Sequence, residues 1–289
     1  MKQSKILLLV VSAGVAVLLS SCAASGQKPL LSAPPRPGIT LDYNKQMLSV
    51  THPLLGAKPV MINCMEAYCK TGSTHRTWDK TTIGQQNTIV SKSPHEIKVK
   101  TSLASGVEVA HRFAVVADEI LFEATFTNLT DKSVDVEWMQ PCIRLHDFVG
   151  LSQDDYWRRC FIFTAKGLTL LSDTSRTEEA IYRGGQVYVP AGVSRNDVNP
   201  RPLSPDVPAN NLIGCFSADN KALLATSWTD VQELFQGVIV CIHADPRIGG
   251  LEPHQTKHIW GKLYIIPNDT KELLRRYRRD FPDVTADER

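Results

Sequence analysis

The chain has 289 residues, 43% hydrophobic and 21% charged, with a formal net charge of +2. That length suits one large domain or two small ones. The near-neutral balance provides no broad cationic field for capturing nucleic acid by counterion release, so no nucleic-acid partner is expected.

Residues 1–22 read as a targeting segment. Lys2 and Lys5 precede an apolar run from Ile6 to Leu19 that is too short to span a bilayer comfortably. Leu19-Ser20-Ser21-Cys22 resembles the lipobox of bacterial lipoproteins. The resemblance implies cleavage before Cys22, acylation of its thiol and attachment to a membrane through the acyl chains. Ala23 in the next position implies the outer membrane, and so a cell-envelope location. Residues 23–38, rich in Ser, Ala, Gly and Pro, are expected to form a semi-extended tether. Residues 39–284 then form a single β-sandwich domain, and 285–289 a tail.

Strand periodicity dominates the middle of the chain. Ile97, Val99 and Thr101 share one face; so do Val107, Val109, His111 and Phe113. Ile120, Phe122, Ala124 and Phe126 lead through a polar turn at 128–132 to Val134, Val136 and Trp138, which predicts a hairpin. Residues 215–228 repeat the design with a turn at 218–221, and the segment 226–237 suits a short turn of helix. The proline-rich stretch 194–211 predicts a long surface loop. Strands are predicted over Gly237–His243 and Gln255–Ile266. A helix is predicted over 269–280, capped by Asn268 or Asp269 and stopped by Pro282, with its arginines on the solvated face. Many short strands and one terminal helix predict an all-β fold, mainly an antiparallel β-sandwich, with a short C-terminal helix.

Without Cys22, six cysteines remain: Cys64, Cys69, Cys142, Cys160, Cys215 and Cys241. An oxidising envelope permits disulfides, and sequence order suggests Cys64–Cys69, Cys142–Cys160 and Cys215–Cys241. The alternative is that they pack as small buried hydrophobes. No metal site and no cofactor are expected, since no second C-x₂-C pair exists. His243, His254 and His258 do not change this. Residues i and i+4 of a strand stand about 13 Å apart and cannot grip one ion. His243, at the end of its strand with Asp245 two residues on, is the candidate acid or base.

The order of CFSADNKALLATSW, CIHADP, LEPHQTKHIWGKLYI and LLRRYRRDFP resembles uncharacterised secreted bacterial proteins with the supersandwich fold of galactose mutarotases and other carbohydrate-binding enzymes. The resemblance, over about 39–282, implies a proton-donating histidine, matched by His243. It also implies a late glutamate, with no matched position among Glu233, Glu252 and Glu272. Sugar sites combine aromatic platforms with polar groups. The loop candidates are His75, Arg76 and Trp78, then Gln140, Arg144, His146 and Asp147, then Tyr156, Trp157 and Arg158, together with Asp245; Trp138 and Trp260 are expected in the core. The expected function is a lipid-anchored carbohydrate- or glycan-binding protein. An epimerase or lyase using His243 is the first alternative, and a structural envelope protein the second. An acid and a base converging in one cleft would favour catalysis.

Overall fold

The computed structural model describes residues 30–282, so the targeting segment, Cys22, residues 23–29 of the tether and the whole of the 285–289 tail lie outside the described residues. In chain order the strands are β1 (Thr40–Asn44), β2 (Met47–Thr51), β3 (Val60–Cys69), β4 (Gln85–Lys92), β5 (Glu96–Leu103), β6 (Val107–Val116), β7 (Glu119–Asn128) and β8 (Trp138–Arg144). There follow β9 (Cys160–Thr164), β10 (Gly167–Leu170), β11 (Gln186–Tyr188), β12 (Ile213–Phe216), β13 (Ala222–Trp228), β14 (Val231–Gln236), β15 (Cys241–Pro246) and β16 (Thr256–Pro267). The helices are α1 (Trp78–Thr81), α2 (His146–Val149), α3 (Glu178–Arg183) and α4 (Thr270–Asp280).

These strands form two large antiparallel sheets, as the alternation predicts. One has seven strands in the order β1-β2-β3-β8-β15-β14-β11, the other nine in the order β10-β9-β12-β13-β16-β7-β6-β5-β4. Successive side chains of a strand point to opposite faces. Each sheet therefore commits one row to the shared core: Met139, Ile143, Leu234, Ile242 and Ala244 from the first, Ile97, Val99, Phe122, Leu224 and Leu263 from the second.

The outer face of the nine-stranded sheet carries a second cluster. Tyr264, Ile266, Phe161 and Leu223 receive Leu273 and Tyr277 of α4 and Phe281 just beyond its end. Asp269 caps this helix by accepting from the N–H groups of Lys271 and Glu272, both at 3.0 Å. The arginine face is only partly solvated. Arg276 and Arg279 reach back to Glu119 at 3.1 and 2.7 Å and are 14% and 15% exposed. Lys262, fully buried on β16, lies 2.6 Å from Glu119 and donates to the carbonyl of Leu30.

Several expectations need correction. Residues 30–38 are not a free tether: Leu30 N–H donates to Asp280 at 3.1 Å, Arg36 N–H donates to the Ala117 carbonyl at 2.7 Å, and Leu30 and Ala33 pack against Val116 and Leu121. The hairpin after β7 does not form, because the chain leaves the nine-stranded sheet there and enters the other one at β8. Residues 231–236, placed in a possible helical turn, are strand β14. The stretch 194–211 folds down onto the seven-stranded sheet, burying Val198, Asn199 and Ser204. Trp138 is fully buried, whereas Trp260 is half-buried on the outer face, stacked on Phe281 with ring centroids 4.6 Å apart.

Candidate functional site

The outward row of the seven-stranded sheet is chemically unlike its inward row. On β15, Ile242 and Ala244 point into the core, which turns Cys241, His243 and Asp245 outward. On β14 the outward residues are Glu233 and Phe235, which pair across the ladder with Asp245 and His243. On β8 they include Gln140 and Cys142, and on β3 Glu66 stands beside an irregularity in the register between Asn63 and Ala67. His243 therefore does not end its strand. The strand runs on to Pro246, with a bulge between Val231 and Glu233 opposite.

A cavity of about 370 Å³ opens over this row. Glu66, Gln140, Cys142, Cys241 and His243 form its floor; Asn199 and Arg201 of the folded-down loop, Phe235, and Trp78 at the start of α1 form its walls. Trp78 remains 39% exposed while its ring leans on Trp138 at 6.2 Å, so part of an indole face is held open at the rim.

Two groups of titratable side chains lie beneath. Glu233 and Asp245 are fully buried. Glu233 accepts from the N–H of Asn199 at 2.7 Å, and Asp245 accepts from the amide of Gln140 at 3.2 Å. Burial lifts the Glu233 carboxyl to about 7. Burial, reinforced by the charge of Glu233, lifts that of Asp245 well above the carboxylate range. Two carboxyls this close and this dry hold a shared proton rather than two negative charges.

The second group is Cys142, Cys241 and His243. The Nε2 atom of His243 lies 3.2 Å from the Cys241 sulfur, and its Nδ1 lies 3.7 Å from Asp245. A hydrogen bond from the Cys241 thiol, together with His243 and Arg144, brings the Cys142 thiol down to about 4 against the opposing effect of burial. Burial opposes charging of His243, but Cys142, Glu66 and Glu233 outweigh it and raise its pKa. Burial, then Cys142, raises the carboxyl of Glu66. The cluster thus lowers the Cys142 thiol and raises the His243 imidazole, each stabilising the charged form of the other.

The predicted site residues divide. Trp78 lines the cavity with His243. Asp245 lies behind His243, and Arg144 is near enough for its charge to act on Cys142 and Glu66. His75 and Arg76 are exposed and line none of the cavities described here. His146 borders a separate cavity with Lys58 and Phe148. Trp157 and Arg158 border another, where the Arg176 guanidinium lies 4.6 Å from the Trp157 ring centroid. His254 pairs with Asp131 and His258 with Glu123, away from His243.

All six described cysteines are free thiols and buried, so the sequence-order disulfides are not present. Cys64 and Cys69 are five residues apart on one strand, a separation of about 16 Å that no disulfide spans. The fold instead sets Cys160 opposite Cys215 on neighbouring strands and Cys142 near Cys241.

Sequence reading named Gln140 as a polar candidate, which the cavity includes, but missed Glu66, took Cys142 only as a disulfide candidate and found no position for Glu233. The signal available was the alternation Cys241-x-His243-x-Asp245, which places all three on one face if the strand is continued.

No family model matches the chain, and no curated protein matches it. Among solved structures, the chain is similar to the Slr1438 protein from Synechocystis sp. PCC 6803, at 9% identity over 82% of this chain and 98% of that one, with a TM-score of 0.44. It is also similar to a galactose mutarotase related enzyme from Lactobacillus acidophilus, at 10% identity over 78% and 97%, with a TM-score of 0.44. A galactose mutarotase-like protein from Lactobacillus casei ATCC 334 is 12% identical over 79% and 100%, with a TM-score of 0.42. Similarity this distant says nothing about chemistry.

Proposed function

We propose that the protein binds a carbohydrate in the cavity between Glu66, Trp78 and His243, and that it does so at the cell envelope, anchored through a lipidated Cys22. One observation carries the ligand reading: a partly exposed indole shares one cavity with a carboxyl, an amide, an imidazole and a guanidinium. A sugar ring needs this combination. Its apolar face stacks on an aromatic plane while its hydroxyls exchange hydrogen bonds with planar polar groups. The volume falls within the range of small-molecule sites. The anchor rests on the Leu19–Cys22 motif.

A catalytic reading, an epimerase or lyase, is favoured by a separate observation. Glu66 and His243 face the same cavity as a carboxyl and an imidazole, and the surroundings of each raise its pKa above the ordinary value, a pairing that suits proton transfer. Screening the purified protein on a glycan array tests binding, and incubating any ligand found with wild type and with Glu66→Gln tests turnover. Unchanged ligand after prolonged incubation with wild type would leave a binding protein. Conversion by wild type that Glu66→Gln abolishes, with binding retained, would establish an enzyme. For the anchor, Cys22→Ala should move the protein from the membrane fraction to the soluble one.

A further inference from the structure

We propose that Cys142, Cys241 and His243 form a three-ligand zinc site whose fourth position opens on the cavity beside Glu66. The inference goes beyond the carbohydrate reading: it concerns three side chains of the cavity floor, and metal binding there can be measured with no saccharide present.

The six described cysteines occupy two kinds of place. Cys64, Cys160 and Cys215 belong to the apolar core between the sheets, and Cys69 packs with Ala67 and Trp138. Each behaves as a small hydrophobe. Cys142 and Cys241 belong to none of the apolar clusters. They point outward, on adjacent strands, to the floor of a cavity that also holds a histidine. The Cys142, Cys241 and His243 ligand atoms lie within 4.8 Å of one another, and all three residues are buried.

A tetrahedral zinc ion, with bonds of about 2.3 Å to sulfur and 2.0–2.1 Å to nitrogen, sets its ligand atoms about 3.5–3.8 Å apart. Cys241 Sγ and His243 Nε2 are already at 3.2 Å. Closing around the ion therefore asks for movements of about 1 Å or less. Gly237 keeps the approach clear: a Cβ there would lie 2.2 Å from the Cys241 sulfur.

A second observation points the same way. His243 Nδ1 and Asp245 Oδ1 are 3.7 Å apart, buried, and each lacks a hydrogen-bond partner. With a metal on Nε2 the proton resides on Nδ1 and is donated to the carboxyl behind it, the arrangement that orients metal-bound imidazoles. Two thiolates and an imidazole select a borderline-soft ion over calcium or magnesium. Three protein ligands and one position facing a cavity describe a site that can take water or a ligand oxygen. A metal on Nε2 also removes His243 as a free base and leaves Glu66 as the proton-transferring group in the cavity.

The test is metal titration of the reduced, purified protein. Cobalt(II) is expected to bind at one ion per chain, with the visible bands of a tetrahedral site and near-ultraviolet thiolate charge transfer, and zinc to displace it. Cys142→Ser and Cys241→Ser should each weaken zinc binding by at least about 100-fold, while Cys160→Ser in the core leaves it unchanged. On the wild type, zinc should slow alkylation of Cys142 and Cys241, located by peptide mass spectrometry, whether or not the variants fold. Cobalt spectra without thiolate bands, or alkylation at these two thiols indifferent to zinc, would overturn the proposal. So would a Cys142–Cys241 disulfide in protein isolated without reductant that takes up no metal after reduction.

Discussion

At the scale of single residues, the two most unusual side chains are charged groups held out of water. Lys262 is fully buried and is held by Glu119, the Leu30 carbonyl and the more distant Asp280. Removing one member of such a set strands the others. Lys262→Met is therefore expected to destabilise the protein by about 3–5 kcal/mol in urea unfolding. A loss under 1 kcal/mol would mean that the cluster contributes nothing net. Glu233 gives a pH-dependent prediction. Its carboxyl has an ordinary value of 4.5 and is raised to about 7 in the fold. The folded state thus keeps a proton that the unfolded chain releases. This contribution is complete below pH 4.5 and is lost as pH rises through 7, by on the order of 3 kcal/mol. Glu233→Gln cannot ionise and can still accept from Asn199, so its stability relative to wild type should rise across that window. Parallel curves for the two proteins would contradict the shared-proton pair. In the sequence, His243, Asp245 and Trp78 were legible because residue type and position sufficed. Gln140 was legible too, as a polar group on a strong strand; Glu66 and Glu233 were not, because they sit on β3 and β14, whose adjacency to β8 and β15 no local pattern encodes.

At the scale of elements, alternation decides what can be read. β5 alternates between buried and exposed residues along its length, and the first half of β6 and second half of β7 alternate between buried and less buried ones, so period two marks them. β14 and β15 are buried on both faces, by the core on one side and the 194–211 loop on the other. Their polar outward residues therefore looked like strand ends or turns. The missed crossover after β7 has a similar origin, since a polar turn predicts a hairpin whether or not the next strand joins the same sheet. β16 offers a test of close packing. Gly261 lies on the core side opposite Trp228, and an added Cβ would meet the indole at 2.5 Å and the Ser227 carbonyl at 2.7 Å. Gly261→Ala should cost about 1–3 kcal/mol, read from the shift in the unfolding midpoint at unchanged m-value. An unshifted midpoint would mean that the Trp228 indole and the neighbouring strand yield more easily than their packing implies. At the other end of β16, Asp269→Ala should cost about 0.5–2 kcal/mol by uncapping α4. A variant as stable as wild type would show that α4 is held by its packing on Tyr264 alone.

At the scale of the whole molecule, the two sheets divide labour. The nine-stranded sheet is covered on part of its outer side by α4 and by residues 30–36, which seal an ion cluster beneath them, while the outer faces of β4 and β5 stay open to solvent. The seven-stranded sheet is built differently around β14 and β15. Its outer row carries Glu66, Cys142, Cys241 and His243, and the loop and α1 that cover it leave a cavity of about 370 Å³. The account depends on that opening being where a ligand sits. The most direct measurement is calorimetric titration of a saccharide selected on the array into wild type, Trp78→Ala and Trp157→Ala. Trp78→Ala should weaken binding at least about 10-fold through loss of the stacking plane, with Trp157→Ala unchanged. Binding that survives loss of Trp78 and disappears with Trp157 would place the ligand in the neighbouring cavity and contradict the account.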